Sequence, residues 1–163
     1  RLLDARATFV AALVGLASHP FGDLFTGVPP AFLYPFDATL VSARVAPFGD
    51  PTLDLLLAFG VELAAVWFGV AAFARVTDQR LGSHVAPRAA LGAGYAAAAL
   101  VLTPPTMAGS YQFVFSVVAV GVVGAVPARF RRFPDPLTAV VTGLAAVTVA
   151  GVAYLVAYLL VGP

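Results

Sequence analysis

The chain has 163 residues, of which 61% are hydrophobic and only 10% charged, with a mean hydropathy of +0.95. Those values lie outside the range of water-soluble domains and define an integral membrane protein, so the lipid bilayer is its first expected partner. A net charge of +1 gives no electrostatic footprint for nucleic acid, and the lack of cysteine excludes disulfides, thiolate metal sites and cysteine nucleophiles.

Apolar runs separated by polar or proline-rich breaks divide the chain. A helix needs about twenty residues to cross about 30 Å of hydrocarbon. The runs are Ala7–Phe25, Leu53–Val76, Ala89–Thr103, Tyr111–Val126 and Leu137–Val161. The third and fourth are short, but turns at Thr103-Pro104-Pro105-Thr106 and Val126-Pro127 favour spanning helices over strands. Ala90, Gly94 and Ala98 recur at α-helical spacing, which predicts a small-residue face against a neighbour. The expected fold is all-α: a polytopic membrane bundle of about five transmembrane helices in a single domain over residues 1–163, its first helix kinked at Pro20.

The arginines orient this bundle. Arg1 and Arg6 precede the first run, Arg75, Arg80 and Arg88 follow the second, and Arg129, Arg131 and Arg132 follow the fourth. If five helices alternate, these fall on one side, and only Arg44 falls on the other. The positive-inside rule then places the start in the cytoplasm of a multi-pass plasma (inner) membrane protein and Pro163 outside.

Reactive side chains collect where the first run ends. His19 and Asp23 are one helical turn apart on one face, a spacing that aims two side chains at one ion. Counting from Ala7 at about 1.5 Å per residue puts His19 about 18 Å and Asp23 about 24 Å above the inner boundary. Glu62, counted inward from Leu53, lies about 13 Å below the outer boundary, level with the pair. Ionisable groups in hydrocarbon are costly and mark function by default.

Nitrogen and oxygen donors together suit a divalent ion such as zinc or manganese, and an open coordination position activates water for hydrolysis. His19 and Asp23 are therefore the candidate metal ligands. Glu62 is the candidate catalytic base, a third ligand, or a protonated carboxyl bonded to a neighbouring helix. Thr26, Tyr34 and Asp37 stand at the outer boundary, where they either orient a head group or anchor and turn the chain. His84 falls on the opposite loop, and Ser110-Tyr111-Gln112 marks a helix start.

The segment Gly15-Leu16-Ala17-Ser18-His19, with Gly22-Asp23, Thr26-Gly27 and Leu33-Tyr34-Pro35-Phe36, resembles the second block of the membrane-bound metal-dependent hydrolases. That family is also described as LexA-binding, inner-membrane-associated hydrolases. The likeness runs from Leu13 to roughly Asp50 and implies a multi-pass hydrolase with a divalent metal, in which His19 and Asp23 match the family's polar positions. The family's first block, with its Arg-Gly-x-x-His-type motif, has no counterpart here, so the resemblance implies a C-terminal portion of a longer protein. A lipid-like or phosphoester substrate is the expected partner. The alternatives from residues alone are a transporter or proton-relay subunit, for which intramembrane His, Asp and Glu are equally natural, and a non-catalytic membrane scaffold.

Overall fold

The computed structural model describes residues 5–26, 33, 35, 36, 40–126 and 135–161; within the first helix it does not describe the side chains of residues 5–8, 11, 18–20 and 26. All secondary structure among the described residues is helical. The α-helices are α1 (Ala5–Thr26), α2 (Pro51–Val76), α3 (Ala96–Val101), α4 (Ser110–Ala125) and α5 (Pro136–Val161). Short 3₁₀ turns cover Leu81–His84 and Met107–Gly109, and a longer 3₁₀ segment, Pro87–Tyr95, leads into α3. Among the described residues, three stretches are long and apolar enough to cross a membrane: Pro51–Val76, Met107–Ala125 and Pro136–Val161.

Most boundaries follow from local chemistry. Asp50 caps α2 by accepting from the backbone N–H groups of Thr52 and Leu53 at 2.9 and 2.8 Å, and Pro51 occupies the first helical position, where no N–H is needed. Gly49 supplies the left-handed backbone (φ 66°) that turns the loop into this cap. At the far end of α2 the Gln79 N–H reaches back to the Ala74 carbonyl at 2.8 Å, and Asp78 takes the left-handed position that glycine usually holds. Helix α1 continues through Pro20 without a break in its helical backbone.

The third apolar run departs from the α-helical reading. Nine residues are wound as 3₁₀ and six as α. At about 2.0 and 1.5 Å per residue this reaches about 27 Å, whereas α-winding throughout would reach about 22 Å. A run too short for an α-helical span thus approaches bilayer thickness. The winding also changes which side chains share a face. With three residues per turn, Ala89, Gly92 and Tyr95 line up; Ala89 and Gly92 are buried, while Ala90 and Gly94 are exposed. The expected Ala90/Gly94/Ala98 contact face is therefore corrected to Ala89/Gly92/Tyr95.

Helix α5 is the axis of the bundle, packed against the 3₁₀ segment, α3, α4 and α2. Its inner face reads Gly143, Val147, Ala150, Tyr154 and Tyr158, all buried. Small residues let backbones approach where lipid supplies no hydrophobic drive between helices. A Cβ on Gly92 would run into the Ala146 carbonyl oxygen and stand 3.0 Å from the Ala150 nitrogen. Gly121 of α4 and Gly143 of α5 meet in the same way, a Cβ on either lying 3.0–3.1 Å from the other's carbonyl oxygen. Helix α1 packs on α2 at the periphery, and the loop after it returns through a bond from the Val45 N–H to the Leu24 carbonyl, 2.8 Å.

Two polar layers tie the ends of the bundle and fix its up-and-down order. At one end, the Tyr158 hydroxyl donates to Asp50 Oδ2 (2.9 Å), and Thr52 Oγ1 donates to the Pro105 carbonyl (2.9 Å), joining α2, α5 and the turn after α3. At the other, His84 Nδ1 lies 2.9 Å from Thr138 Oγ1, and the fully buried Thr142 bonds both the His84 carbonyl and the Ala86 N–H. Arg88 donates to the carbonyls of Gly124 (2.7 Å) and Ala125 (3.2 Å), a cation placed where the α4 dipole is negative. Between the layers, Trp67 Nε1 donates to Thr148 Oγ1 at 2.8 Å and links α2 to α5.

Candidate functional site

Helix α1 carries His19 and Asp23 on continuous helical backbone, so they stand one turn apart. The His19 side chain lies outside the described residues, as do Tyr34, Asp37 and the Thr26 side chain. Asp23 is half-buried and belongs to a short run, Gly22 to Phe25, where α1 leaves its exposed course. The described side chains from Phe9 to Ala17 are all exposed. Helix α1 thus meets the rest of the protein at the turn that holds Asp23.

Glu62 sits on α2, the helix on which α1 packs. It lines an apolar groove of about 490 Å³ whose other walls come from α4 and α5, among them Val118, Gly121, Val140 and Val147. Among the described residues, no three His, Asp or Glu side chains gather into a metal-holding group. The loop that returns to α1 at Leu24 carries a cation: Arg44 has a buried Nη1 without a hydrogen-bond partner among the described residues.

The end that contains Asp50 holds more polar structure than the sequence suggests. Asp50 receives the Leu53 N–H first in importance, then the Tyr158 hydroxyl and the Thr52 N–H; together these outweigh partial desolvation and hold its carboxyl below the ordinary value. Asp54, one turn into α2, is buried and accepts from the Phe48 N–H at 3.1 Å. Beneath this layer lies an aromatic cluster. Phe113 meets Phe59 edge-on at 5.4 Å between ring centres and Tyr154 at 5.3 Å, and Tyr95 lies 5.8 Å from Tyr154.

Beside that cluster a cavity of about 430 Å³ opens between the Thr103–Thr106 turn, the start of α4 and Tyr154 of α5. Its polar groups include Tyr95, Gln112 and Ser116. The Tyr95 and Ser116 hydroxyls bond each other, while Tyr154 is buried with no partner for its hydroxyl among the described residues. Gln112 lies in the first turn of α4, as the Ser110-Tyr111-Gln112 helix start predicts, whereas Tyr95, Tyr154 and Tyr158 belong to no sequence motif. The available signal was that Tyr154 and Tyr158 lie four apart in a helix with no charge.

At the opposite end, the Thr138 N–H is the main reason Asp135 is held below the ordinary carboxyl range, followed by the Thr138 hydroxyl; His84 stands 3.5 Å away. His84 belongs to this layer, as expected from its loop position, and ties the chain before the 3₁₀ segment to the start of α5.

Fold and composition together define an all-helical membrane-type bundle. Comparison with protein-family models, curated proteins and solved structures gives no match for this chain.

Proposed function

We propose that this chain forms the membrane-embedded part of a metal-dependent hydrolase that cleaves a phosphoester or another ester close to the lipid head groups. His19 and Asp23 are the metal ligands, and Glu62 is the base or a further ligand. The observation that carries the reading is that unbroken α1 backbone sets an imidazole-bearing and a carboxylate-bearing residue one turn apart, with Asp23 half-buried where the helix turns in toward the bundle. Glu62 stands on α2, the helix on which α1 packs, and lines the groove walled by α4 and α5.

A mixed nitrogen and oxygen donor set fits zinc or manganese, and when bound the ion supplies Lewis acidity. Within the protein, Asp23 offers a carboxyl group at a half-buried turn of α1, where a cation is attracted more strongly than in open water. Arg75, Arg80 and Arg88 fall toward the His84 end and Arg44 toward the Asp50 end, which supports a cytoplasmic His84 end in a plasma membrane and an extracytoplasmic C-terminus.

Metal analysis of the membrane-purified protein tests this reading. Wild type should retain about one equivalent of zinc or manganese, and His19→Ala and Asp23→Ala should each lower retention at least about tenfold, as expected when a first ligand or its support is lost. Equal metal content in all three proteins would remove the hydrolase reading.

A further inference from the structure

The loop between α1 and α2 sets a cation beside the turn of α1 that carries Asp23. The Val45 N–H donates to the Leu24 carbonyl at 2.8 Å, and Arg44 and Asp23 each stand one residue from an end of this bond. The loop is thus fastened with its arginine next to that turn. Gly22 to Phe25 is where α1 becomes half-buried, and Arg44 is half-buried too.

The carboxylates of the same end are engaged elsewhere. Asp50 accepts from the Thr52 and Leu53 N–H groups and the Tyr158 hydroxyl, and Asp54 accepts from the Phe48 N–H. Among the described residues Arg44 forms no ion pair; the one present joins His84 and Asp135 at the opposite end. Its Nη1 is sealed and unpaired among the described residues, so no ligand is asked to reach that atom. The side chain is still partly exposed, and Nε and Nη2 are not closed off in this way. Those two nitrogens form the edge of the guanidinium fork that grips two oxygens of one anion. A charge held close to hydrocarbon without an opposite charge is unfavourable, which calls for an anion at this edge.

We infer that Arg44 is the phosphate-binding residue of the site at the α1 turn, an assignment that rests on the hydrolase reading of that turn and narrows its substrate to an anionic phosphoester. The Nε–Nη2 edge holds two non-bridging oxygens of the phosphoryl group. A carboxylic ester has no ionised oxygen and would leave the guanidinium unanswered. A phospholipid head group and a soluble phosphoester share the required chemistry.

The test uses the membrane-purified protein, freed of lipid in detergent, with binding read by native mass spectrometry. The probes, titrated separately, are dioleoyl phosphatidic acid and glycerol 1-phosphate, both as their uncleavable methylene phosphonates, and uncharged dioleoylglycerol. Arg44→Ala removes the fork, Arg44→Lys keeps the charge without the two-point grip, and Arg75→Ala changes an exposed arginine at the His84 end. The lipid phosphonate should bind wild type and Arg75→Ala equally and saturably. Its affinity for Arg44→Ala should be lower by about ten- to hundredfold, the effect of charge-assisted hydrogen bonds, and for Arg44→Lys by about threefold or more. Arg44→Lys carries the comparison if thermal unfolding shows that Arg44→Ala does not fold. Binding of the glycerol phosphonate with the same Arg44 dependence, and none of the lipid, would keep the site and assign it to a soluble phosphoester. Equal affinity in wild type and the Arg44 variants, dioleoylglycerol binding as tight as that of the phosphonates, or binding of neither phosphonate would overturn the assignment. Metal content separates this outcome from the fate of the hydrolase reading, because Arg44→Ala should retain metal as wild type does. Metal lost in His19→Ala and Asp23→Ala, with phosphonate binding indifferent to Arg44, would sink the phosphate assignment alone. Metal unchanged in those two variants, with binding still dependent on Arg44, would sink the hydrolase and leave a phosphate site.

Discussion

Helices α1 and α5 are similar in length, 22 and 26 residues, and both are predominantly apolar, yet they hold opposite positions. Helix α5 touches most of the bundle and buries one continuous face, whereas α1 leans on α2 and exposes its described side chains as far as Ala17. In hydrocarbon, leucine and valine are as comfortable against lipid as against protein, so greasiness does not mark the centre. Small residues and hydroxyls do. Helix α5 carries Gly143, Ala146 and Ala150 for close approach and Thr142, Thr148 and Tyr158 for bonds to other segments. Helix α1 carries Arg6 and Thr8 at its start and Ser18, His19, Asp23 and Thr26 toward its end, with an apolar stretch between.

The largest effect that would break this contrast comes from adding one methyl group to each region. Gly92→Ala places a Cβ against the α5 backbone, which has no side chain to move aside, and should cost about 3 kcal/mol or more. Gly15→Ala on α1 meets nothing within 4 Å and should change stability by about 0.5 kcal/mol or less. Thermal unfolding in detergent measures both. Equal losses would mean that α1 is as closely held as the 3₁₀ segment.

A smaller effect sharpens the role of hydroxyls on α5. Trp67→Phe keeps the ring but removes the donor to Thr148, and should lower stability by about 0.6 kcal/mol, near the average for interhelical hydrogen bonds in membranes. A double-mutant cycle with Thr148→Val isolates the term, and zero coupling would show that the two helices are held by packing alone.

The mildest probe is acid. Asp50 is held below its ordinary carboxyl value in the folded protein, so its contribution is fully present above the unfolded value and is lost as pH falls through the depressed folded one. Melting temperature should therefore decline on acidification below about pH 4, the unfolded carboxyl range. In Asp50→Asn that part of the decline should be missing. An identical acid profile in the variant would show that the Tyr158 and backbone bonds to Asp50 add nothing.

Much of this architecture was legible in the residues. Runs read as Leu53–Val76, Tyr111–Val126 and Leu137–Val161 correspond to α2, α4 and α5, and their ends follow from Asp50-Pro51, Ser110 and Pro136, whose chemistry is local. Helix-to-helix contacts were less legible. Reading Ala89–Thr103 as α predicted the wrong face, because a period of three and a period of 3.6 select different alanines and glycines from the same Ala/Gly-rich string. The candidate pair His19 and Asp23 was visible because charge in hydrocarbon is rare, and the structure adds that Asp23 is half-buried. The Tyr154 cavity was invisible for the opposite reason. Its lining is uncharged, and its hydroxyls gain meaning only when α3, α4 and α5 converge.

The stretched winding of Pro87–Tyr95 also limits how the bundle meets membranes of different thickness. A span can normally follow a thinner bilayer by tilting or by shortening. Rewinding this segment as α would draw it in by about 4–5 Å, but it would also rotate the row Ala89/Gly92/Tyr95 off the glycine-deep seat on α5. Adjustment is therefore left to tilt of the whole assembly, and the seam between Gly92 and Ala146 acts as a fixed gauge of height.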